Sequence, residues 1–263
     1  MSKIKKLVVF GDTHIPFHDQ SALNLLFKYL KSCQPDTIVI NGDWIDCYEI
    51  SKFRKVPIEK AEFSKEIEMG RKFLEKIRNL CPNSEIIYIE GNHEMRLRKF
   101  LIDRAPELYK VFLGGYFDNS NAGTLMDYLL GCHKLNITYV PLREDMDKFS
   151  HNYIEYHGVY IGHFDKALKN ACYTARMLRD ELGVNVIQSH THKIGYSART
   201  YLDEVKYGME IGCLCGKPTF QEAADWQLGW LVAYIDPDND NFYPYQIILR
   251  DYKFIGPDGK IYG

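Results

Sequence analysis

Apolar positions along the chain alternate between two rhythms. Residues 6–10 form a short apolar run ended by Gly11, which predicts a buried strand. Residues 21–32 then place Leu25, Leu26, Tyr29 and Leu30 along one face of a helix. Residues 37–40 are a second buried run, closed by Asn41-Gly42. Residues 58–80 carry Phe63, Ile67, Phe73, Leu74 and Ile77 among charges, the pattern of a long amphipathic helix. Residues 85–89 make a third strand, followed by Gly91. Strand, helix, strand, helix, strand predicts parallel strands joined by right-handed crossovers.

After Gly91 the rhythm changes. Residues 94–103 read as helix, Pro106 opens a second short helix, 125–130 a third, and 137–140 a short strand. This stretch breaks the alternation, so about 104–150 is expected to be an insertion or cap within one domain spanning 1–263. Residues 152–156 and 159–161 suggest a hairpin turning at His157-Gly158. Residues 166–182 read as helix with Gly183 as its C-cap. A strand at 184–187 follows, and from Ile194 the chain is strand-rich to 247–249.

Composition narrows the class. A chain of 263 residues, 46% hydrophobic and 26% charged, is an ordinary globular α/β protein. No apolar run approaches the roughly 18 residues that span a bilayer. The N-terminus enters a strand directly, without the pattern of a secretory signal, so a cytoplasmic protein without membrane contact is expected. Seven cysteines, an odd number in a long chain, argue against a disulfide scaffold. Cys213-x-Cys215, the only close pair, reads as alternating strand positions. A net charge of −2 argues against strong nonspecific nucleic-acid binding through global charge. It leaves room for local basic rims at Arg96, Arg98 and Lys99 and at Lys52, Arg54 and Lys55, runs that first suggest solvated surface.

The chemistry lies at the strand ends. Asp12-Thr13-His14 follows the first strand, Asp43 the second, and Asn92-His93-Glu94 the third. His163 follows 159–161, and His190-Thr191-His192 follows 184–187. Ligands of open α/β sheets gather beyond the carboxyl ends of the strands, so these side chains are predicted to share one pocket. Carboxylate, amide oxygen and imidazole without thiolate form a hard-to-borderline ligand set. Two divalent ions sharing a carboxylate, about 3.5–4 Å apart, suit in-line phosphoryl displacement, and Asp43 is the natural bridge. Any one of these pieces is common by chance. Five in order, each closing an apolar strand, are not. Five of the nine histidines occupy these positions.

With those residues in view, the chain resembles the calcineurin-like metallophosphoesterase superfamily. The five motifs stand as Gly11-Asp12-Thr13-His14, Gly42-Asp43-Trp44-Ile45-Asp46, Gly91-Asn92-His93-Glu94, Gly162-His163 and Ser189-His190-Thr191-His192. The resemblance implies a four-layer α/β/β/α sandwich of two mixed β-sheets flanked by helices. It implies one metal on Asp12, His14, Asp43 and His192, and a second on Asp43, Asn92, His163 and His190. His93 would act on the phosphate outside the metal shell, with Asp46 fixing its tautomer. Mn²⁺ is the expected ion, with Fe or Zn²⁺ as alternatives. Glu94 is expected to help the loop fold rather than bind metal.

Some positions depart from the family. Ser189 replaces the usual glycine of the fifth motif, and Phe164 follows His163 where many relatives have a small residue. Cys47-Tyr48 follows Asp46 where protein serine/threonine phosphatases carry Arg-Gly, which weakens the case for that branch. Arg96 or Arg98 can supply the missing phosphate contact or be a helix-surface charge. Gly-Asn-His-Glu followed by Arg96-Leu97-Arg98 is similar to phage and prophage members. His18 is a candidate pocket residue. His157 competes with His163 for the fourth motif, but looks like a hairpin tip. Trp44, Tyr48 and Phe53 are candidates for a platform under a base or apolar leaving group. The substrate is expected to be a phosphoester, with a nucleotide or nucleic acid among the choices. The competing readings are a DNA or RNA nuclease of the same fold, and a noncatalytic metal-binding scaffold.

Overall fold

The computed structural model describes residues 3–53, 61–113, 124–142, 153–202, 204–216 and 224–263. Strands β1 (Lys5–Phe10), β2 (Thr37–Asn41), β3 (Glu85–Ile89), β4 (Ile137–Val140), β10 (Gly229–Asp236) and β11 (Asn241–Ile248) form one sheet in the order β11-β10-β1-β2-β3-β4. Its β1 to β4 are parallel, while β10 and β11 are added antiparallel. The second sheet holds β5 (Tyr153–Tyr156), β6 (Val159–Gly162), β7 (Asn185–Gln188), β8 (Ile194–Tyr201) and β9 (Glu204–Ile211), in the order β5-β6-β7-β9-β8. Here β6, β7 and β9 are parallel, and the two edge strands are antiparallel.

Alternation along each strand builds the layers. Leu7, Val9, Val39, Ile87 and Ile89 of the first sheet meet Val159, Ile161, Ile187, Met209 and Ile211 of the second. The neighbouring residues Val8, Phe10, Ile38, Ile40, Ile86 and Tyr88 point the other way, into a core shared with α1 (Gln20–Cys33) and α2 (Phe63–Leu80). On the far side, α6 (Tyr173–Leu182) packs Leu178 on Val186 and Phe164. The result is an α/β/β/α sandwich of two mixed sheets, as the sequence implied. Strands buried on both faces are also why β1, β2 and β3 read as unbroken apolar runs. Helix α1 starts where the Asp19 carboxylate accepts the Ser21 and Ala22 amides at 3.0 and 2.9 Å, a cap that contributes about 1 kcal/mol.

Several boundaries differ from the sequence expectation, each for a local reason. Helix α2 begins at Phe63, whose amide is taken by the Glu49 carboxylate at 2.8 Å. The expected start at 58 lies outside the described residues. Helix α6 begins at Tyr173 rather than 166. The Leu168 and Lys169 carbonyls, which a longer helix would need, accept from Lys193 Nζ at 2.9 and 2.5 Å, and Cys172 sits at a left-handed φ of 64°. Within the 104–150 stretch, α5 (Leu125–Leu130) buries Met126 and Leu130 in the α1/α2 core, and β4 pairs with β3. Those parts belong to the helix and sheet layers. Residues 114–123 and 143–150 of that stretch lie outside the described residues. Past the last expected strand, β12 (Phe254–Ile255) and β13 (Ile261–Tyr262) form a small hairpin. Its Phe254 and Tyr262 rings stack 4.9 Å apart and cover Tyr29 and Trp230. Two-residue strands are too short for any rhythm to announce. Among the described residues no helix is long and apolar enough to cross a membrane. All seven cysteines are free.

Candidate metal centre

The carboxyl ends of β1, β2 and β3 meet those of β6 and β7. Asn41 at the end of β2 ties them together, donating from Nδ2 to the Gly162 carbonyl at 2.9 Å and to Ser189 Oγ at 2.8 Å. The loops leaving these strands turn sharply. Asp12, His14, Asp43, His190 and His192 adopt positive φ angles of 50°, 48°, 49°, 71° and 59°. That region costs an ordinary residue about 1–3 kcal/mol, and such strain gathers at functional sites. Glycine is required at two positions around Asp43. A Cβ on Gly42 (φ +80°) would sit 2.4 Å from His163 Nδ1, and one on Gly91 only 2.2 Å from Asp43 Oδ1.

The turns bring Asp12, His14, Asp43, Asn92, His163, His190 and His192 together. Asp43 Oδ2 lies 3.2 Å from His163 Nε2 and 3.7 Å from His14 Nε2. Asp12 Oδ1 lies 3.5 Å from His192 Nε2. Asn92 Oδ1 is 3.1 Å from His163 Nε2, and His190 Nδ1 is 3.2 Å from that same nitrogen. His14 Nε2 and His192 Nε2 are 3.1 Å apart. The outward nitrogens are held in place: His163 Nδ1 by the Asn41 carbonyl at 2.9 Å, His14 Nδ1 by Asp46 at 3.2 Å, His192 Nδ1 by Cys215 Sγ at 3.4 Å. Each of these three rings therefore aims Nε2 inward, the outer-partner arrangement that orients imidazole ligands.

A divalent cation fits this cluster. Imidazole nitrogens this close need a shared proton or cation between them. Asp12 Oδ1 is fully buried and has no hydrogen-bond partner among the described residues. Burial disfavours charge on His163 and His192, yet the Asp43 and Asp12 carboxylates outweigh it and raise them to about 9 and about 10. Burial also disfavours charge on Asp12 and Asp43, but the neighbouring histidines hold both below the ordinary carboxylate range. His190 goes the other way: burial, then the His163 charge, pull it down to about 4. In two His–Asp sets, Asp43-His163-His190 and His14-Asp43-His93, the ligand-type atoms lie within 4.8 Å of one another, and His14, His192 and Cys215 make a third such group.

The calcineurin-like phosphoesterase model matches residues 5–211 of this sequence. The chain belongs to the calcineurin-like phosphoesterase family. Over 247 residues it is 29% identical to the Gene 54 protein of Mycobacterium phage L5, covering 88% of this chain and 89% of that one. Among solved structures, Vacuolar Protein Sorting 29 from Cryptosporidium parvum aligns with a TM-score of 0.46 at 11% identity, over 96% of this chain and 95% of the other. A predicted phosphoesterase from Streptococcus pneumoniae aligns at 0.32 and 10% identity, over 100% and 95%.

Within this calcineurin-like site, His93 stands at the rim of the cluster. Its Nδ1 lies 2.7 Å from Asp46 Oδ1, and its backbone amide donates to Asp43 Oδ1 at 2.9 Å. Arg96 Nη2 lies 2.8 Å from His93 Nε2, and Arg96 Nη1 donates to the Asp46 carbonyl at 2.8 Å. An arginine can only donate, so in this arrangement His93 carries its proton at Nδ1, on Asp46. Arg98 is not part of the cluster: its guanidinium donates to the Leu142 carbonyl at 2.9 Å and faces Glu90 at 3.6 Å. His18 hydrogen-bonds Gln20 at 3.1 Å and packs its ring on Phe73, outside the group of imidazoles. His157 pairs with Asp240 at the hairpin tip, away from the site. Trp44 cannot be a platform: it is fully buried, with its indole nitrogen on the Gly70 carbonyl at 3.1 Å. Tyr48 leans on Phe17, and of the three rings only Phe53 is broadly open.

Three features were not legible beforehand or were read too plainly. Cys215 touches a candidate ligand, His192, and only its spacing from Cys213 hinted at anything unusual. Trp226 lies with its ring 4.1 Å from that of His192. Glu94 does hold its loop, and the second-motif loop with it. Its carboxylate accepts the amides of Gly91, Asp43, Trp44 and Ile45 at 2.8, 3.1, 2.7 and 3.2 Å, and the Tyr88 hydroxyl at 2.7 Å.

Glu66 supports the same loop from behind. It is fully buried on α2 and accepts the Tyr48 amide at 3.1 Å through one oxygen, while the other has no partner among the described residues. Burial, with Asp46 adding to it, pushes its acid up to about 8 from an ordinary 4.5. A folded-state value above the unfolded one means the fold binds this proton more tightly. Its contribution is therefore most favourable below pH 4.5 and is lost as the pH rises through about 8. The neutral substitute Glu66→Gln is expected to be more stable than the parent at pH 8.5, by on the order of a few kcal/mol, and no more stable at pH 4.5. Thermal melts at the two pH values check this. An equal difference at both would show that ionisation of Glu66 is not what separates the two proteins.

Proposed function

We propose that this protein is a dinuclear metal-dependent hydrolase of phosphoesters. The observation that carries the reading is the gathering of seven ligand-type side chains from five strand ends, Asp43 among them, with His93 set beside them by Asp46. Asp12, His14, Asp43 and His192 would hold one divalent ion, and Asp43, Asn92, His163 and His190 the other. Oxygen and imidazole donors suit Mn²⁺ first, with Fe or Zn²⁺ as alternatives. When bound, such a pair supplies an activated water and neutralises phosphate charge.

The protein's own groups do the rest. Asp46 fixes His93 with Nε2 toward the open side of the cluster. Burial opposes a charge on His93, but the Asp43 and Asp46 carboxylates outweigh it and raise its pKa, while Arg96 works against them. A phosphate arriving at the rim would draw Arg96 off His93 Nε2. Arg96 would then bind a phosphate oxygen through its planar fork. His93, relieved of the arginine, would hold a proton at Nε2 and give it to the leaving oxygen. The absence of Arg-Gly after Asp46 is compatible with this, because Arg96 reaches the same edge from helix α3 (Met95–Arg104).

The test is hydrolysis of a chromogenic phosphodiester and the matching phosphomonoester, with Mn²⁺ added and with the metal chelated. Turnover that depends on metal is expected, and the better ester names the substrate type. Two bound ions with no turnover of either ester, or of nucleotides and oligonucleotides, would overturn the reading in favour of a noncatalytic scaffold.

A further inference from the structure

Next to the metal centre, on the Asn92 side, runs an open groove of about 820 Å³. One wall is a single stripe of α3. Arg96, Lys99, Phe100, Asp103 and Arg104 follow the spacing of one helical face, while Leu97 and Leu101 on the opposite side are buried in the core. The other wall is the segment after the second motif, with Lys52 and Phe53. Four cations therefore face two carboxylates. Of the two, Asp103 is paired with Lys52 at 3.2 Å, and Glu49 is occupied by the Phe63 amide at 2.8 Å. Among the described residues neither Lys99 nor Arg104 has a carboxylate partner. Two aromatic rings stand open in the same groove, Phe53 at 75% and Phe100 at 40% exposure. The global charge of −2 conceals this local surplus.

We propose that this groove binds single-stranded nucleic acid and leads one of its phosphodiesters to the metal centre, an inference that rests on the phosphoesterase reading for its chemistry. The spacing favours a chain over a single nucleotide. Arg96 and Arg104 are eight residues apart on a helix, about 12 Å along its axis, too far to grip one phosphate. Cations strung along a groove, interleaved with exposed rings, are how sequence-tolerant single-strand binders track a backbone and stack its bases. A phosphopeptide would use the cations but has no general need of two open rings. Arg96 is common to both parts: it borders the groove and touches His93, so the path ends at the catalytic side of the cluster.

The test measures anisotropy of a labelled short oligothymidylate on the whole 263-residue, Mn²⁺-loaded His93→Ala chain, where cleavage is suppressed. Two pairs of substitutions are added, Lys99→Ala/Arg104→Ala and Phe53→Ala/Phe100→Ala. Each pair is expected to weaken binding by about tenfold or more. The charge pair should also flatten the dependence of log affinity on log salt by about 1.4, because each lost phosphate contact removes about 0.7. The aromatic pair should leave that slope unchanged. All four residues are exposed, so melting temperatures should move little, and Lys99→Gln/Arg104→Gln repeats the charge test if the first pair folds poorly. Binding unaffected by both pairs, equal binding of a duplex, or preference for a phosphopeptide would overturn the proposal. Wild-type turnover of the chromogenic diester reads the metal centre separately. If that turnover is absent while both pairs still weaken oligonucleotide binding, the groove assignment stands and the phosphoesterase reading falls.

Discussion

Replacing His93 by alanine is expected to slow phosphoester turnover by roughly 10²–10⁴-fold, the usual contribution of a positioned acid or base, while the metal content stays at the wild-type level. Its ring is held by Asp46 at 2.7 Å on one nitrogen and met by Arg96 at 2.8 Å on the other. A side chain engaged on both nitrogens by protein groups is placed to move a proton. Yet His93 also comes within reach of a metal: its Nε2 is 3.7 Å from Asp43 Oδ2, and His14, Asp43 and His93 could converge on one ion. Metal analysis of the variant separates the roles. Full metal with lost turnover places His93 outside the shell. Loss of one ion along with turnover would make it a ligand. Wild-type turnover would end the assignment.

Asp43→Ala should have the broadest effect of any single substitution, emptying both metal positions and destabilising the fold by about 3–5 kcal/mol. Asp43 is the carboxylate common to two of the ligand groups. One of its oxygens faces His163 and His14, and the other accepts the His93 amide. Removing it leaves His163, raised to about 9 by that carboxylate, buried without its main counter-charge. The checks are metal content and thermal melting of the metal-free proteins. Asp43→Asn, which keeps an acceptor for the His93 amide, should recover part of the stability but not the metals. One ion retained tightly in Asp43→Ala would show that another residue bridges.

The candidate site was legible because its residues sit where local signals are strong. Each of Asp12, Asp43, Asn92, His163 and His190 stands just past a short apolar run, and a strand end is easy to find when the strand is buried on both faces. Choosing His163 over His157 also followed from local reading, since one closes a strand and the other tips a hairpin. The choice between Arg96 and Arg98 did not. Both lie on α3 two residues apart, and only the placement of α3 turns one toward His93 and the other toward Glu90. The rings beside the second motif divide for a similar reason. An exposed loop and a buried one look alike in sequence, and Trp44 went into the core while Phe53 stayed outside.

By itself, then, the sequence determined the strand runs, the helix faces, the order of five motifs and the types of the candidate ligands, because periodicity and turn residues report burial and chain reversal within a few positions. Tertiary structure alone decided what crosses between segments. It set which nitrogen of His163, His14 and His192 points inward, since that depends on Asn41, Asp46 and Cys215 arriving from other segments. It made Glu94 the acceptor for four amides of two loops. It also gathered Lys52, Phe53 and one face of α3 into a basic, aromatic groove within a chain of nearly balanced charge. Local pattern fixes which face of an element is apolar, but only the packing of the elements decides which polar faces end up opposite one another.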